Sequence, residues 1–182
     1  MKKILICLFI VLIVTQTVNA QITVERNFSY GDPDEMGVYA PLYVDVMNFT
    51  FMANTGSGLF LFTNLYDFMA GINFETGPSF NRILLGRRYQ KYFDDPITIF
   101  SVFSRTNIHE DFYFSGTAGF SFYPEDPDIP EIAPEQPEGT NSHYKLNLEY
   151  FITDSFYING GLHVVNWDTF SPLAGLGGKF EF

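Results

Sequence analysis

Residues 142–182, SHYKLNLEYFITDSFYINGGLHVVNWDTFSPLAGLGGKFEF, decide the fold. They read as three β-strands in succession, over Ser142–Ile152, Ser155–Asn166 and Leu173–Phe182. Successive side chains of a strand point to opposite faces. In the first strand Tyr144, Leu146, Leu148, Tyr150 and Ile152 share one face and Lys145, Asn147 and Glu149 the other. In the second, Phe156, Ile158, Gly160, Leu162 and Val164 oppose Tyr157, Asn159, Gly161 and His163. In the third, Leu176, Gly178, Phe180 and Phe182 oppose Gly177, Lys179 and Glu181. Each strand therefore has one apolar and one polar face. Two folds satisfy this. A soluble sandwich turns the apolar face to a core, and a transmembrane barrel turns it to lipid with the polar face toward the lumen.

Working outward, Phe112–Tyr123 repeats the pattern. Phe112, Phe114, Gly116, Ala118, Phe120 and Phe122 oppose Tyr113, Ser115, Thr117, Gly119, Ser121 and Tyr123, and small residues opposite a Phe-rich face fit a narrow lumen. Ile97–Arg105, with β-branched and aromatic content, reads as a further strand. Phe80–Phe93 is another. Between Pro124 and Asn141 lies a stretch with five prolines and six acids and no basic residue, which excludes a hydrogen-bonded ladder.

At the other end, Lys2 and Lys3 precede an apolar run, Ile4–Val14, too short for a membrane helix. Val18-Asn19-Ala20 supplies small residues for cleavage, so residues 1–20 read as a signal peptide. Cys7 leaves with it, so neither a disulfide framework nor a thiol nucleophile is expected. Two of the ten Lys and Arg also leave. Eight cations then face 21 carboxylates, a net charge of −13, which argues against nucleic-acid binding.

A secretory signal, dyad-period strands of about ten residues, aromatics at strand ends and a final Phe182 together resemble the small outer-membrane β-barrel proteins of Gram-negative bacteria. The resemblance is to the class and covers the mature chain as a pattern. It implies an all-β, antiparallel, up-and-down transmembrane barrel in the outer membrane, contacting its lipid and lipopolysaccharide. It leaves the activity open and implies no cofactor.

Barrels of this class place short turns in the periplasm and long loops outside. Loop 124–141 is therefore set outside, and counting back from a periplasmic C-terminus keeps the parity consistent. In this reading residues 21–41 form an N-terminal segment, periplasmic or a first strand, and residues 42–182 form the barrel. Leu42–Ala53 reads as one strand and Asn54–Gly58 as a hairpin turn. The count closes at eight strands if Leu59–Thr76 is one strand and 21–41 lies outside the barrel. It closes at ten if Ile22–Tyr30 is a strand and Leu59–Thr76 is two. Eight is favoured.

The inward polar set is then Lys145, Asn147, Glu149, Tyr157, Asn159, His163, Lys179 and Glu181. Charges in a narrow lumen must be paired or hydrated, so these read first as a plug of ion pairs. Arg82, Arg87, Arg88 and Lys91 are candidates for lipid-phosphate contact, because Arg binds phosphate in bidentate fashion. By parity Arg82 and Arg88 share one face and Arg87 and Lys91 the other, so one pair at most reaches headgroups. His163, with Asp168 and Ser171 nearby, is the candidate centre of a lipid A-modifying hydrolase. The His-x-Ser motif of one such enzyme is His163-Val-Val here, with valine in place of serine. Three readings of function follow: a non-enzymatic structural or interaction barrel working beside other envelope proteins, which is favoured, that hydrolase, and a small pore or ligand-binding barrel.

Overall fold

The computed structural model describes residues 20–29, 37–58, 64–90, 96–123 and 139–182. The signal-peptide reading of residues 1–19, Lys91 and most of the Pro-rich loop lie outside them. Ten antiparallel strands close on themselves, in the order β1-β10-β9-β8-β7-β6-β5-β4-β3-β2. They are β1 (Ala20–Ser29), β2 (Gly37–Val46), β3 (Phe49–Gly58), β4 (Asn64–Thr76), β5 (Ser79–Gln90), β6 (Ile97–His109), β7 (Phe112–Phe122), β8 (Thr140–Thr153), β9 (Phe156–Val165) and β10 (Thr169–Glu181). Closure runs through β1 and β10, in register from Gln21 opposite Glu181 to Ser29 opposite Leu173. Every described strand thus has two neighbours and no edge is left open.

The favoured count of eight is corrected to ten. The region read as a single strand, Leu42–Ala53, contains a two-residue hairpin at Met47 and Asn48, with Val46 paired to Phe49. That turn has neither Gly nor Pro to announce it; Met47 itself adopts φ +52°. Asn54–Gly58, read as a turn, is the second half of β3, paired with β2 on one side and β4 on the other. Leu59–Thr76 contributes one strand, β4, and not two. Ten therefore arises from β1 plus the hidden hairpin.

Two-residue turns follow β2, β4, β6 and β8, at the end where Ala20 and Phe182 exchange backbone hydrogen bonds. The longer connections lie at the opposite end. Alternation sets what faces where. On β7, Phe114 and Phe122 are exposed on the outside, while Ser115 and Ser121 are 1% exposed inside. On β8, Leu146 and Leu148 face out and Glu149 in. Leu85, Phe51, Phe68, Ile158, Leu162 and Leu176 continue the outer apolar belt around the ring. The interior is largely polar, with an apolar cluster of Met69, Leu84, Ile97 and Ile99, against which Tyr43, Met52 and Tyr123 pack.

Glycine makes room for large inward side chains. A Cβ on Gly177 would run into the ring of Tyr157, which lies across it from β9. On Gly161 it would run into the Leu146 carbonyl oxygen of the neighbouring strand. The close approach of β8 to β9 at that point needs glycine.

Candidate functional site

The lumen gathers the chemistry. Its inward positions follow from register, because each strand's polar parity meets that of its neighbour: Lys145 opposite His163, Asn147 opposite Gly161, Glu149 opposite Asn159.

Toward the turn end, two ion-pair clusters fill the barrel. In one, Arg82, 1% exposed, donates from Nε to Asp45 at 3.1 Å and pairs through its terminal nitrogen with the other Asp45 oxygen. Thr50 donates to the same carboxylate, and Asn73 bonds Asp45 at 3.3 Å and Thr50 at 3.1 Å. The guanidinium sits 4.4 Å above the Tyr43 ring and 4.8 Å above that of Phe80. In the other, Arg105 stands between two acids. Its Nε is 2.8 Å from Glu149, an ion pair lacking the alignment of a hydrogen bond, and a terminal nitrogen is 3.7 Å from Glu25. That nitrogen also donates to the Tyr157 hydroxyl at 3.1 Å, which in turn donates to Glu25 at 2.7 Å. Asn159 donates to Asn27 at 3.1 Å alongside. A third pair lies toward the loop end, where Arg88 grips Asp67 through two nitrogens, at 2.8 and 3.1 Å, and Asn54 donates to the same acid.

Beside these pairs lies a cavity of about 140 Å³. Lys145, Asn147, His143 and His163 form one side of it, Met52 and Met69 belong to strands across the ring, and Ile99 lies on β6 between them. The two imidazoles stack at 5.9 Å between centroids, with planes 22° apart.

The structure places the sequence-derived residues as follows. Lys145, Asn147, Glu149, Tyr157, Asn159 and His163 all face the lumen. Lys179 and Glu181 pair with each other at 2.6 Å near the turn-end mouth, Glu181 being exposed. Arg82 and Arg88 are the pair that meets lumen carboxylates. Arg87 points outward, is exposed, and donates to Thr98 at 2.6 Å. Ser171, read as a loop residue, lies on β10 directly opposite His163 and faces inward, while Asp168 stays in an exposed turn. No hydrogen bond joins Ser171 to His163 among the described residues, and Ser121 and His143 stand 3.4 Å apart, longer than a nucleophile–base contact.

Sequence reasoning missed Asp45, Asp67, Glu25 and Arg105, the partners that complete the network. Asp45 and Thr50 fall on opposite parities if residues 42–53 are one strand. Across a two-residue turn they become direct partners on one face. Recognising the hairpin would have paired Asp45 with Thr50, whereas Glu25 on β1 and Arg105 on β6 do not depend on it.

No family model matches this chain, and no curated protein does. Solved structures match at low identity. The KdgM porin in complex with disordered oligogalacturonate is 9% identical with a TM-score of 0.52, over 88% of this chain and 99% of that one. The NanC porin is 10% identical with a TM-score of 0.50, over 88% of this chain and 100% of that one. The neighbours are outer-membrane β-barrel proteins, and the likeness to them is one of fold.

Proposed function

We propose that this chain is an integral outer-membrane β-barrel of structural or interaction type, with a lumen closed by paired charges and without enzymatic activity. One observation carries the reading: an outer belt of exposed Phe, Leu, Ile and Val encircles a closed sheet, and among the described residues no second sheet covers it. Water is a poor solvent for such a surface, whereas acyl chains suit it. Backbone polar groups are satisfied strand to strand, as a lipid environment requires. The short-turn end, with Ala20 and Phe182, faces the periplasm in this reading. Arg87, outward and exposed near the loop end, is placed for contact with lipopolysaccharide phosphate. Lys91 remains a further candidate. Other envelope proteins are the expected partners.

The test is fractionation with gel mobility. The mature chain should sediment with outer membranes and migrate differently before and after boiling. Recovery as a water-soluble monomer without detergent would refute the reading. A pull-down from membranes in mild detergent then identifies any partner.

A porin-like role is the second reading, favoured by the likeness in fold to the KdgM and NanC porins and by the lumen cavity. Against it stand Arg82, Thr23 and Thr50, each 0–1% exposed across the lumen. Planar-bilayer recording decides: the closed barrel gives no steady conductance. The hydrolase reading is disfavoured by the inward aim of His163, which acyl chains outside the barrel do not reach. Exchange of His163 for Ala should leave lipid A unchanged by mass spectrometry.

A further inference from the structure

The lumen's charges are balanced in number and unevenly placed. Among the described inward residues away from the mouth, Arg82, Arg88, Arg105 and Lys145 match Asp45, Asp67, Glu25 and Glu149. Arg82 has Asp45 and Arg88 has Asp67, but Arg105 holds both glutamates. Lys145 is left with no carboxylate within 4 Å among the described residues. Its ammonium lies 5.1 Å above the Tyr39 ring, at the cavity wall. A cation in such a place favours a counter-charge, because burying it alone is costly.

The neighbouring groups point the same way. His163 is 9% exposed, and its Nε2 finds no hydrogen-bond partner among the described residues. It lines the cavity with His143 stacked beside it. Lys145 on β8 and His163 on β9 stand opposite β3 and β4 in the ring of ten, and those strands contribute Met52 and Met69 to the same cavity. The chamber thus sets Lys145 and two imidazoles across from Met52 and Met69, with Glu25, Glu149 and the Arg88–Asp67 pair also on its lining. Its volume is about ten times what one water molecule needs.

We propose that this chamber binds an amphipathic monocarboxylate, its carboxylate on Lys145 and His163 and its apolar body against Met52, Met69 and Ile99. A single negative charge supplies the close counter-charge that Lys145 lacks, whereas a phosphate dianion would add two charges to a lumen already balanced in number and lined by Glu25, Asp67 and Glu149. Pockets that bind small molecules share this design, with apolar walls and a few placed polar groups. The proposal stands whether or not the barrel conducts.

Benzoate is the probe, titrated into the mature chain folded in detergent micelles and labelled in its imidazole rings for NMR. His109, exposed beside the turn that ends β6, is the internal control. Benzoate should shift the His143 and His163 resonances saturably and leave His109 in place. Benzamide, equal in size and uncharged, should not. Acetate and inorganic phosphate should bind more weakly than benzoate. Lys145→Met should weaken benzoate about tenfold or more, the loss expected for one charge-assisted contact. Lys179→Met, at the mouth, should not. No saturable shift with benzoate overturns the proposal, and would mean that Glu25 neutralises Lys145 at longer range. Equal shifts with benzamide, tighter binding of phosphate, or unchanged affinity in Lys145→Met also overturn it. If Lys145→Met does not fold, the benzoate–benzamide comparison on the unaltered chain still decides.

Discussion

Arg105→Met is the sharpest probe of the lumen network. Arg105 is 6% exposed and Glu149 2%, so the substitution leaves one buried carboxylate bare, with Glu25 nearby. Removing one partner of a buried pair costs about 3–5 kcal/mol, more than the pair itself contributes, because the survivor keeps its desolvation penalty. The Tyr157 hydroxyl also loses the cation that donates to it, which places the loss at the middle of that range or above. With a urea slope of about 2 kcal/mol per molar, a 4 kcal/mol loss lowers the unfolding midpoint by about 2 M. The assay is urea unfolding from phospholipid vesicles, followed by the fluorescence of Trp167, which packs 4.6 Å from Tyr144. Adding Glu149→Gln to Arg105→Met should restore much of the loss, since it removes the uncompensated charge. A midpoint within about 0.3 M of the parent would refute the reasoning. So would a double variant less stable than Arg105→Met alone.

Three further outcomes are expected. Leu148→Arg places a charge on the outer belt and should cost about 2–4 kcal/mol at the bilayer midplane, seen as reduced folding yield into vesicles. The same exchange at exposed Asn48, in a turn, should cost almost nothing. Gly161→Val should lower folded yield by forcing β8 from β9 at the Leu146 carbonyl, and loss of heat-modifiable mobility reports it. Arg87→Gln should leave folding unchanged and weaken retention on immobilised lipopolysaccharide, whereas Arg88→Gln should destabilise the barrel through Asp67.

The C-terminal half was legible because its strands alternate without interruption and its breaks carry recognisable turn chemistry. Thr153-Asp154 and the Pro-rich loop fall between clean apolar/polar runs, and β7 to β10 match the expected spans within a few residues. The N-terminal half hid its turn. Met47-Asn48 lies between Val46 and Phe49, both apolar, so the pattern runs on across the reversal. Conversely, Thr55-Gly-Ser-Gly58 has turn composition but lies in a strand. There Asn54 donates to Asp67, and Gly56, buried, pairs with Tyr39 of β2. Composition alone does not separate a glycine that bends the chain from one that yields space. The lumen residues of β7 to β10 could be named from parity alone, but their partners Glu25 and Asn27 lie on β1, which the eight-strand reading left outside the barrel.

The charge pattern ties fold to function. The chain is strongly acidic, yet the described lumen away from the mouth is neutral, so the surplus carboxylates lie elsewhere. The Pro-rich stretch after β7 holds six of them and no cation. An interior whose charges are balanced and largely paired fixes strand register, because a slip of one residue would expel every partner to lipid. That is what a scaffold requires of its barrel. A pore would need a continuous water column through the lumen. Among the described lumen charges away from the mouth, Lys145 alone lacks a carboxylate within 4 Å, and it lines the cavity beside the two imidazoles.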